Sequence, residues 1–419
     1  MKTKKILSLF LAFSLLFVLL LNLAGCSRKI AATDLMAAIV PQARTDSPET
    51  VADEKATAAA DFAVRLFRET YDGKNTLLSP LSVLIALAMT ANGANGETKS
   101  QMERVFGMTV EELNDYFTAY LDALPQDENV KLSIANSIWL RDAANFTVKK
   151  DFLQKNADVY GAGAYRAPFN SSTVRDVNLW VKDKTDGMID KILDTLSGED
   201  MAVLVNALAF DAKWAEPYTK KPQVGSGVFH KADGTETKVT FLSDTEQWYI
   251  ADGDQAVGFI KPYEGGKYAF AAILPNADVP IAEYLAALDG AKIRTLLGDA
   301  KTATVETKLP KFETKYSVSL ESVLSQMGMP NAFSPSDADF SGISETLPLY
   351  IDKVLHKTYI EVAETGTRAG AVTAVKGKAM GMDPGETMTV ILNRPFIYLL
   401  FDTETCVPFF IGVLDDPNG

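Results

Sequence analysis

Residues 365–387 read TGTRAGAVTAVKGKAMGMDPGET, a long run of small residues between two segments that are typical of β-strands. A loop of more than about 12–15 residues inside a compact domain is usually either functional or disordered. Alternate positions of the run are small or apolar, namely Thr367, Ala369, Ala371, Thr373, Val375 and Gly377. The basic residues of the run all have the opposite parity, namely Arg368, Lys376 and Lys378. Because a strand has a period of two residues, the run is patterned as a half-buried strand.

This parity leaves two interpretations open. One is a flexible surface loop whose parity arose by chance. The other is a segment with two states, an exposed loop and an inserted strand, because small inward side chains would enter a sheet without overpacking it. The position of the run between two strands favours the second interpretation.

Outward from this run, the chain predicts helices early and strands late, which is typical of an α+β fold. Helical periodicity predicts helices over 56–70, 97–105, 109–122, 148–160 and 171–189, and Ser79-Pro80 predicts the start of another. Strands are predicted over Leu132–Leu140, over Ala202–Phe210 with both faces covered, and as an antiparallel meander between 226 and 275. The last predicted strands are Thr389–Leu392, Phe396–Phe401 and Phe409–Leu414.

The composition excludes several classes of function. The chain has 419 residues and a net charge of −13, which argues against a nucleic-acid partner. Two cysteines without a CxxC motif, and two histidines, provide neither a disulfide scaffold nor a recognisable metal site. Gly225-Ser226-Gly227 lacks the spacing of a nucleophile elbow, and HExxH and Walker A motifs are absent. We therefore expect no enzymatic activity and no cofactor, and we expect His356, in an alternating apolar run, to be a hydrogen-bonded structural histidine.

The N-terminus is typical of an export signal. Lysines precede the apolar run Ile6–Leu21, and Leu23-Ala24-Gly25-Cys26 resembles the lipobox of bacterial lipoproteins. The resemblance implies a signal peptide over 1–25 and a lipidated Cys26 that anchors the protein to a bacterial membrane, facing the periplasm or the cell surface. A plain signal peptide or a signal anchor is the alternative.

Residues 26–55 are then the lipidated cysteine and a flexible tether, spanning roughly 30 Å as a coil, and 56–419 form a single domain. Cys406 is expected inside an apolar C-terminal strand, where it packs as a small hydrophobic residue.

Several motifs, in a fixed order, resemble those of the serpin family over residues 56–418. They are Asn75–Met89 with Ser79-Pro80, the turn Gly93–Thr98, Val205-Asn206-Ala207 with Lys213-Trp214, Leu309–Phe312, Ala338–Ile343, Val354–Lys357 with Ile360–Val362, Asn393–Phe396, and Phe410–Gly412. The resemblance implies a large central, mostly antiparallel β-sheet, further sheets or a barrel, about eight to nine helices, and an exposed reactive-centre loop over about 364–387.

The resemblance also implies a function. Serpins are suicide substrates: a target serine protease cleaves the loop, forms a covalent acyl-enzyme, and is trapped when the loop inserts as a strand. We expect a monomer with this protease as its partner. Residues that match the family's hinge are Glu364, Gly366, Thr367, Ala369, Gly370 and Ala371, and Gly366 would give backbone freedom there. A non-inhibitory serpin-fold binding or carrier protein is the alternative.

The family's usual interval from Glu364 places the scissile bond at Met380–Gly381. A flexible Met at this position suits an elastase-, chymotrypsin- or subtilisin-like protease. The alternative is Lys378–Ala379, which a trypsin-like protease would cleave. Ser79, Ser82, Asn206 and His356 match the polar shutter cluster beneath the strands that must part, and Trp214 matches the breach, where insertion begins.

Overall fold

The computed structural model describes residues 30–42, 51–124, 130–219, 223–346, 348–367 and 387–419. Within these residues most helices precede the long strands, as the sequence predicts. The α-helices are α1 (Asp53–Thr70), α2 (Pro80–Ala91), α3 (Gly96–Phe106), α4 (Val110–Asp122), α5 (Lys150–Tyr160), α6 (Ser171–Lys184), α7 (Ile281–Ala286), α8 (Gly290–Gly298) and α9 (Glu321–Met327).

Local chemistry accounts for where these helices begin and end. Thr109 and Glu112 form a capping box at the start of α4, which satisfies backbone N–H groups that the helix itself leaves free. Helix α6 ends at Lys184, earlier than the predicted 189, because Asp186 and Gly187 have positive φ angles of 48° and 75°. A left-handed residue after the last turn stops an α-helix.

The central sheet has seven strands. Their order is β1 (Thr33–Asp34), β4 (Gly163–Ala167), β3 (Val130–Arg141), β5 (Ala202–Lys213), β13 (Gly366–Thr367), β12 (Lys353–Val362) and β11 (Phe312–Ser319). All neighbouring pairs are antiparallel except β3–β4 and the direct contact of β5 with β12, which are parallel. This confirms the predicted mostly antiparallel central sheet, and the near-continuous burial of β5 confirms that both of its faces are covered.

A second sheet has nine strands and does not close into a barrel among the described residues. Its path is β14 (Thr387–Ile391), β10 (Lys301–Pro310), β7 (Glu236–Asp252), β8 (Ala256–Pro262), β9 (Tyr268–Pro275), β15 (Phe396–Asp402), β16 (Pro408–Leu414) and β2 (Thr76–Leu78), with β6 (Val224–His230) on β7. Strands β6 to β9 form the predicted antiparallel meander.

The segment before the first helix corrects the expected tether. Thr33 and Asp34 pair with Arg166 and Tyr165 at the edge of the central sheet, and the Ala32 amide donates to the buried carboxylate of Asp176 on α6 at 2.9 Å. The compact unit therefore extends over Ala32–Gly419. The prediction of a free coil over the whole of 26–55 is therefore wrong. No sequence pattern indicated this pairing, because backbone hydrogen bonds to a sheet edge require no hydrophobic periodicity.

Cys406 also differs from expectation. It lies in the turn between β15 and β16 rather than within a strand, has a positive φ of 54°, and is partly buried against the core. Burial raises the pKa of its thiol. No helix in the described part of the chain is long and apolar enough to cross a membrane.

Candidate functional site

The start of the predicted loop already lies inside the central sheet. Thr367 of β13 pairs with Val362 of β12 on one side and with Ala212 of β5 on the other, antiparallel to both. Further along, β12 and β5 pair directly and in parallel, from Lys353↔Val203 to Thr358↔Leu208. We call the end of the sheet at β13 the hinge end. There the chain enters the space between two strands that are elsewhere in contact.

Two neighbouring hinge residues fit this position for different reasons. The side chain of Thr367 is fully buried, and its hydroxyl is hydrogen-bonded to the hydroxyl of Tyr263. Gly366 is needed for space: a Cβ there would lie 2.1 Å from the carbonyl oxygen of Ala212. The φ angle of Gly366 does not lie in the positive, left-handed region. The expected backbone freedom is therefore not the reason for this glycine; close approach of two strands is.

The third hinge residue, Glu364, is held by charge and by the backbone. Its carboxylate forms an ion pair with Lys311 at 2.8 Å, and its carbonyl accepts the amide N–H of Tyr218 at 2.9 Å. Burial by itself would raise the pKa of Glu364, but the ion pair with Lys311 and a backbone hydrogen bond together outweigh burial and leave the pKa below its usual value. The hinge is thus anchored just before it enters the sheet.

Trp214, the predicted breach residue, covers the hinge end. It directly follows β5 and is fully buried. Its backbone N–H donates to the carbonyl of Thr365 at 3.0 Å, and its indole N–H donates to the carbonyl of Ala363 at 2.9 Å. Its ring stacks on Tyr263 at 4.6 Å between centroids. One tryptophan therefore binds the residues on either side of Glu364.

The structure brings the four predicted shutter residues into one buried cluster beneath β5 and β12. His356 Nδ1 lies 2.6 Å from Asn206 Oδ1, which also accepts from the Ser82 hydroxyl at 2.9 Å. Ser82 lies 2.9 Å from the Ser79 hydroxyl, and the Ser79 amide donates to His356 Nε2 at 3.0 Å. The His356–Asn206 contact joins β12 directly to β5, so it bridges two strands that would part if the loop inserted.

The hydrogen bonds determine the tautomer of His356. Because Nε2 accepts the Ser79 N–H, the proton of the neutral ring is on Nδ1 and is donated to Asn206 Oδ1. Burial lowers the pKa of His356 to about 3. The ring is therefore neutral at physiological pH, as expected for a hydrogen-bonded structural histidine.

Ser79 does more than begin a helix. Helix α2 starts at Pro80 as predicted, yet Ser79 makes no side-chain capping bond. Its hydroxyl instead lies 2.9 Å from the Ser82 hydroxyl inside the cluster. The Ser79-Pro80 signal predicted the helix boundary correctly, but the Ser79 hydroxyl contacts the buried cluster and does not cap the helix.

Sequence reasoning missed three participants of these sites. Asn136 on β3 accepts the amide of Asn206, Tyr263 contacts Thr367, and Lys311 pairs with Glu364. A polar Asn within the buried strand Ile134–Leu140 was a usable signal, because buried amides require partners. Lys311 was noted only as part of the motif Leu309–Phe312, because no local pattern connects it to Glu364, which lies 53 positions away.

The remaining predicted site residues lie outside the described part of the chain. They are Cys26, Ala369, Gly370, Ala371, Lys378, Ala379, Met380 and Gly381. Within the described residues, no group of three or more His, Cys, Asp and Glu side chains could hold a metal ion.

Comparison with known proteins agrees with this architecture. Residues 57–417 match the model of the family described as serpin (serine protease inhibitor). A serpin-like protein of Thermococcus kodakarensis is 30% identical over 371 residues, covering 86% of this chain and 85% of the relative. Leukocyte elastase inhibitor A of Mus musculus is 28% identical, covering 87% of this chain and all of the relative. The chain therefore belongs to the serpin (serine protease inhibitor) family.

Solved structures show the same fold. The native state of tengpin, a thermophilic serpin, has a TM-score of 0.86 and 44% identity, covering 92% of this chain and 99% of that one. The latent state of tengpin has a TM-score of 0.77 and 43% identity, covering 88% of this chain and 100% of that one. The present structure is thus more similar to the native state than to the latent one.

Proposed function

We propose that this serpin is an inhibitory suicide substrate that is cleaved at Met380–Gly381 and traps its protease by inserting its loop. The serine oxygen of the protease attacks the carbonyl carbon of Met380. The amide bond to Gly381 then breaks, and a proton is delivered to the leaving amine. An ester joins Met380 to the protease while the chain from Gly366 onward becomes a strand of the central sheet.

One observation carries this proposal, namely the position of β13 between β5 and β12. The strand is antiparallel to both neighbours, which are parallel to each other where they meet. A longer inserted strand would replace that one parallel contact with two antiparallel ones. Antiparallel pairing is slightly more stable per residue, and every inserted residue gains hydrogen-bond partners on both sides. The hydrogen bonds gained therefore favour insertion from the hinge.

The sequence of the loop also supports insertion into the sheet. Beyond Thr367, the residues with its parity up to Gly377 are small or uncharged, so they suit a buried face. Methionine at 380 fits an apolar protease pocket of the elastase, chymotrypsin or subtilisin kind. The name of the mouse relative, an elastase inhibitor, agrees with that class.

The test is to incubate the mature protein with elastase-, chymotrypsin-, subtilisin- and trypsin-like proteases. A complex that survives boiling in detergent supports trapping. Clean loop cleavage with full protease activity would refute it and favour a binding or carrier function. The mass of the released C-terminal peptide identifies the bond, and a peptide that begins at Ala379 would replace Met380 with Lys378.

We also propose that the protein is anchored to a bacterial membrane through a lipidated Cys26 and faces outward. Because Ala32 is hydrogen-bonded to Asp176, at most five residues separate Cys26 from the compact unit, and five residues of any conformation span at most about 20 Å. The domain would then act within a short distance of the membrane surface. Incorporation of labelled fatty acid into the wild type, but not into the Cys26→Ala variant, is the expected result.

A further inference from the structure

A buried ammonium group lies beneath the hinge end of the central sheet. Lys261, in the apolar strand β8, has a side chain that is only 1% exposed. Its Nζ lies 2.6 Å from Glu246 and 3.8 Å from Asp244, both on β7. Glu246 is itself 7% exposed, so this is an ion pair inside the protein rather than on its surface.

The same ammonium lies over two aromatic rings. Its Nζ is 4.5 Å from the ring centroid of Tyr218 and 5.7 Å from that of Trp214. A cation over an aromatic face is attracted to it, most strongly where water is excluded. Lys261 therefore contacts, from below, two residues of the segment that follows β5.

Those two residues hold the hinge from above. Tyr218 donates its backbone N–H to Glu364, and Trp214 donates to Thr365 and, through its indole, to Ala363. Three hydrogen bonds thus join the 214–218 segment to the residues that precede β13. Backbone N–H groups make two of these bonds and the Trp214 indole makes the third, and the rings of both residues contact the ammonium of Lys261.

A buried ion pair is costly to assemble, and apolar side chains of similar size often fold equally well. Burial raises the pKa of Glu246, and the attraction and hydrogen bond of Lys261 oppose that rise without cancelling it. An ordinary apolar residue at 261 would fill the strand, but it would not attract the two rings. The ammonium therefore has an effect that packing alone would not produce.

We propose that Lys261 is a positioning residue: paired with Glu246, it holds Tyr218 and Trp214 against the hinge and so limits how readily the loop enters the sheet. The effect on inhibition rests on the proposed insertion mechanism. The effect on the hinge contacts does not.

Hydrogen exchange at the backbone amides of Trp214 and Tyr218 tests the contact directly. The variant Lys261→Met keeps the side-chain length and removes the charge. We expect these two amides to exchange at least about tenfold faster than in the wild type, because breaking a buried pair is strongly destabilising locally. The matched control is Lys267→Met, which removes an ammonium 3.0 Å from Asp402, a carboxylate that is only 2% exposed.

Unchanged exchange at the two amides in Lys261→Met, or an equal increase in the Lys267→Met control, would overturn the proposal. If Lys261→Met does not fold, Tyr218→Leu replaces it. The Tyr218 hydroxyl has no hydrogen-bond partner among the described residues, so this change removes the ring without breaking a bond. Faster exchange at Trp214 is expected, and normal exchange there would also overturn the proposal.

The double variant Lys261→Met/Glu246→Gln separates two causes. If loss of the ring contact is responsible, exchange stays fast when the lone carboxylate is also removed. If protection returns to the wild-type level, the unpaired Glu246 caused the effect and Lys261 has no positioning role. Failure of the wild type to trap any protease would refute the proposed function and leave the exchange result intact.

Discussion

Protonation of His356 is expected to make this protein sensitive to acid. The ring is 1% exposed, donates from Nδ1 to Asn206 and accepts at Nε2 from the Ser79 amide. A proton on Nε2 would point at the Ser79 N–H and break that hydrogen bond. The folded protein therefore resists protonation, and the pKa of His356 falls from 6.5 to about 3.

The sign and the size of the pH effect on the free energy of unfolding follow from the difference between the His356 pKa values of the folded and unfolded chain. Above pH 6.5 both the folded and the unfolded chain carry neutral His356, so the residue has no pH-dependent effect. Between pH 6.5 and about 3 only the unfolded chain gains the proton, so the free energy of unfolding falls by about 1.4 kcal/mol per pH unit. The total over the whole window is on the order of 5 kcal/mol.

Urea unfolding of the uncleaved protein at pH 7, 6, 5 and 4.5, followed by tryptophan fluorescence, measures this slope. His356→Gln should be less stable at pH 7 by about 1–3 kcal/mol, because buried partners lose their hydrogen bonds, but it should lose less stability on acidification. The control is His230→Gln, since the side chain of His230 is 53% exposed. Identical slopes for the wild type and His356→Gln would refute the reasoning.

Three other changes have definite expected outcomes. Thr367→Arg places a charge in a fully buried site, which costs several kcal/mol unless it is paired; we expect cleaved inhibitor instead of a detergent-stable complex, while Thr367→Ser still traps. Oxidation of Met380 to the polar sulfoxide should slow inhibition of an elastase-like protease, and an unchanged rate would count against this scissile bond. Deletion up to residue 42 should lower the free energy of unfolding by about 1–3 kcal/mol, because Asp176 loses the Ala32 amide; deletion up to residue 29 should leave thermal stability as it was.

Much of the fold followed from local sequence patterns. The apolar run at Ala202–Phe210 predicted a strand that is covered on both faces, and Ser79-Pro80 predicted where α2 begins. Both patterns depend on a few neighbouring residues, so they can be recognised without knowledge of the rest of the chain. The edge strand Thr33–Asp34 was missed because two residues that pair through their backbone leave no periodic pattern.

The candidate site was only partly predictable. Family motifs pointed to His356 and Asn206, but the contact between them joins residues 150 positions apart. Gly366 was singled out correctly and for the wrong reason, since its constraint is the carbonyl of Ala212 rather than its own φ. Lys261 carried no sequence signal at all, because a lysine in a short strand normally keeps its ammonium in water.

Local patterns were enough to predict the order of helices and strands and the strand-like alternation after Thr367, because periodicity and turn chemistry act between near neighbours in the chain. The placement of Gly366 and Thr367 between β5 and β12 depends instead on how distant segments pack. So does the position of Lys261 beneath the hinge. Strand order in a sheet is set by the burial of distant segments against one another, so the contacts that control loop entry exist only once the whole chain is folded.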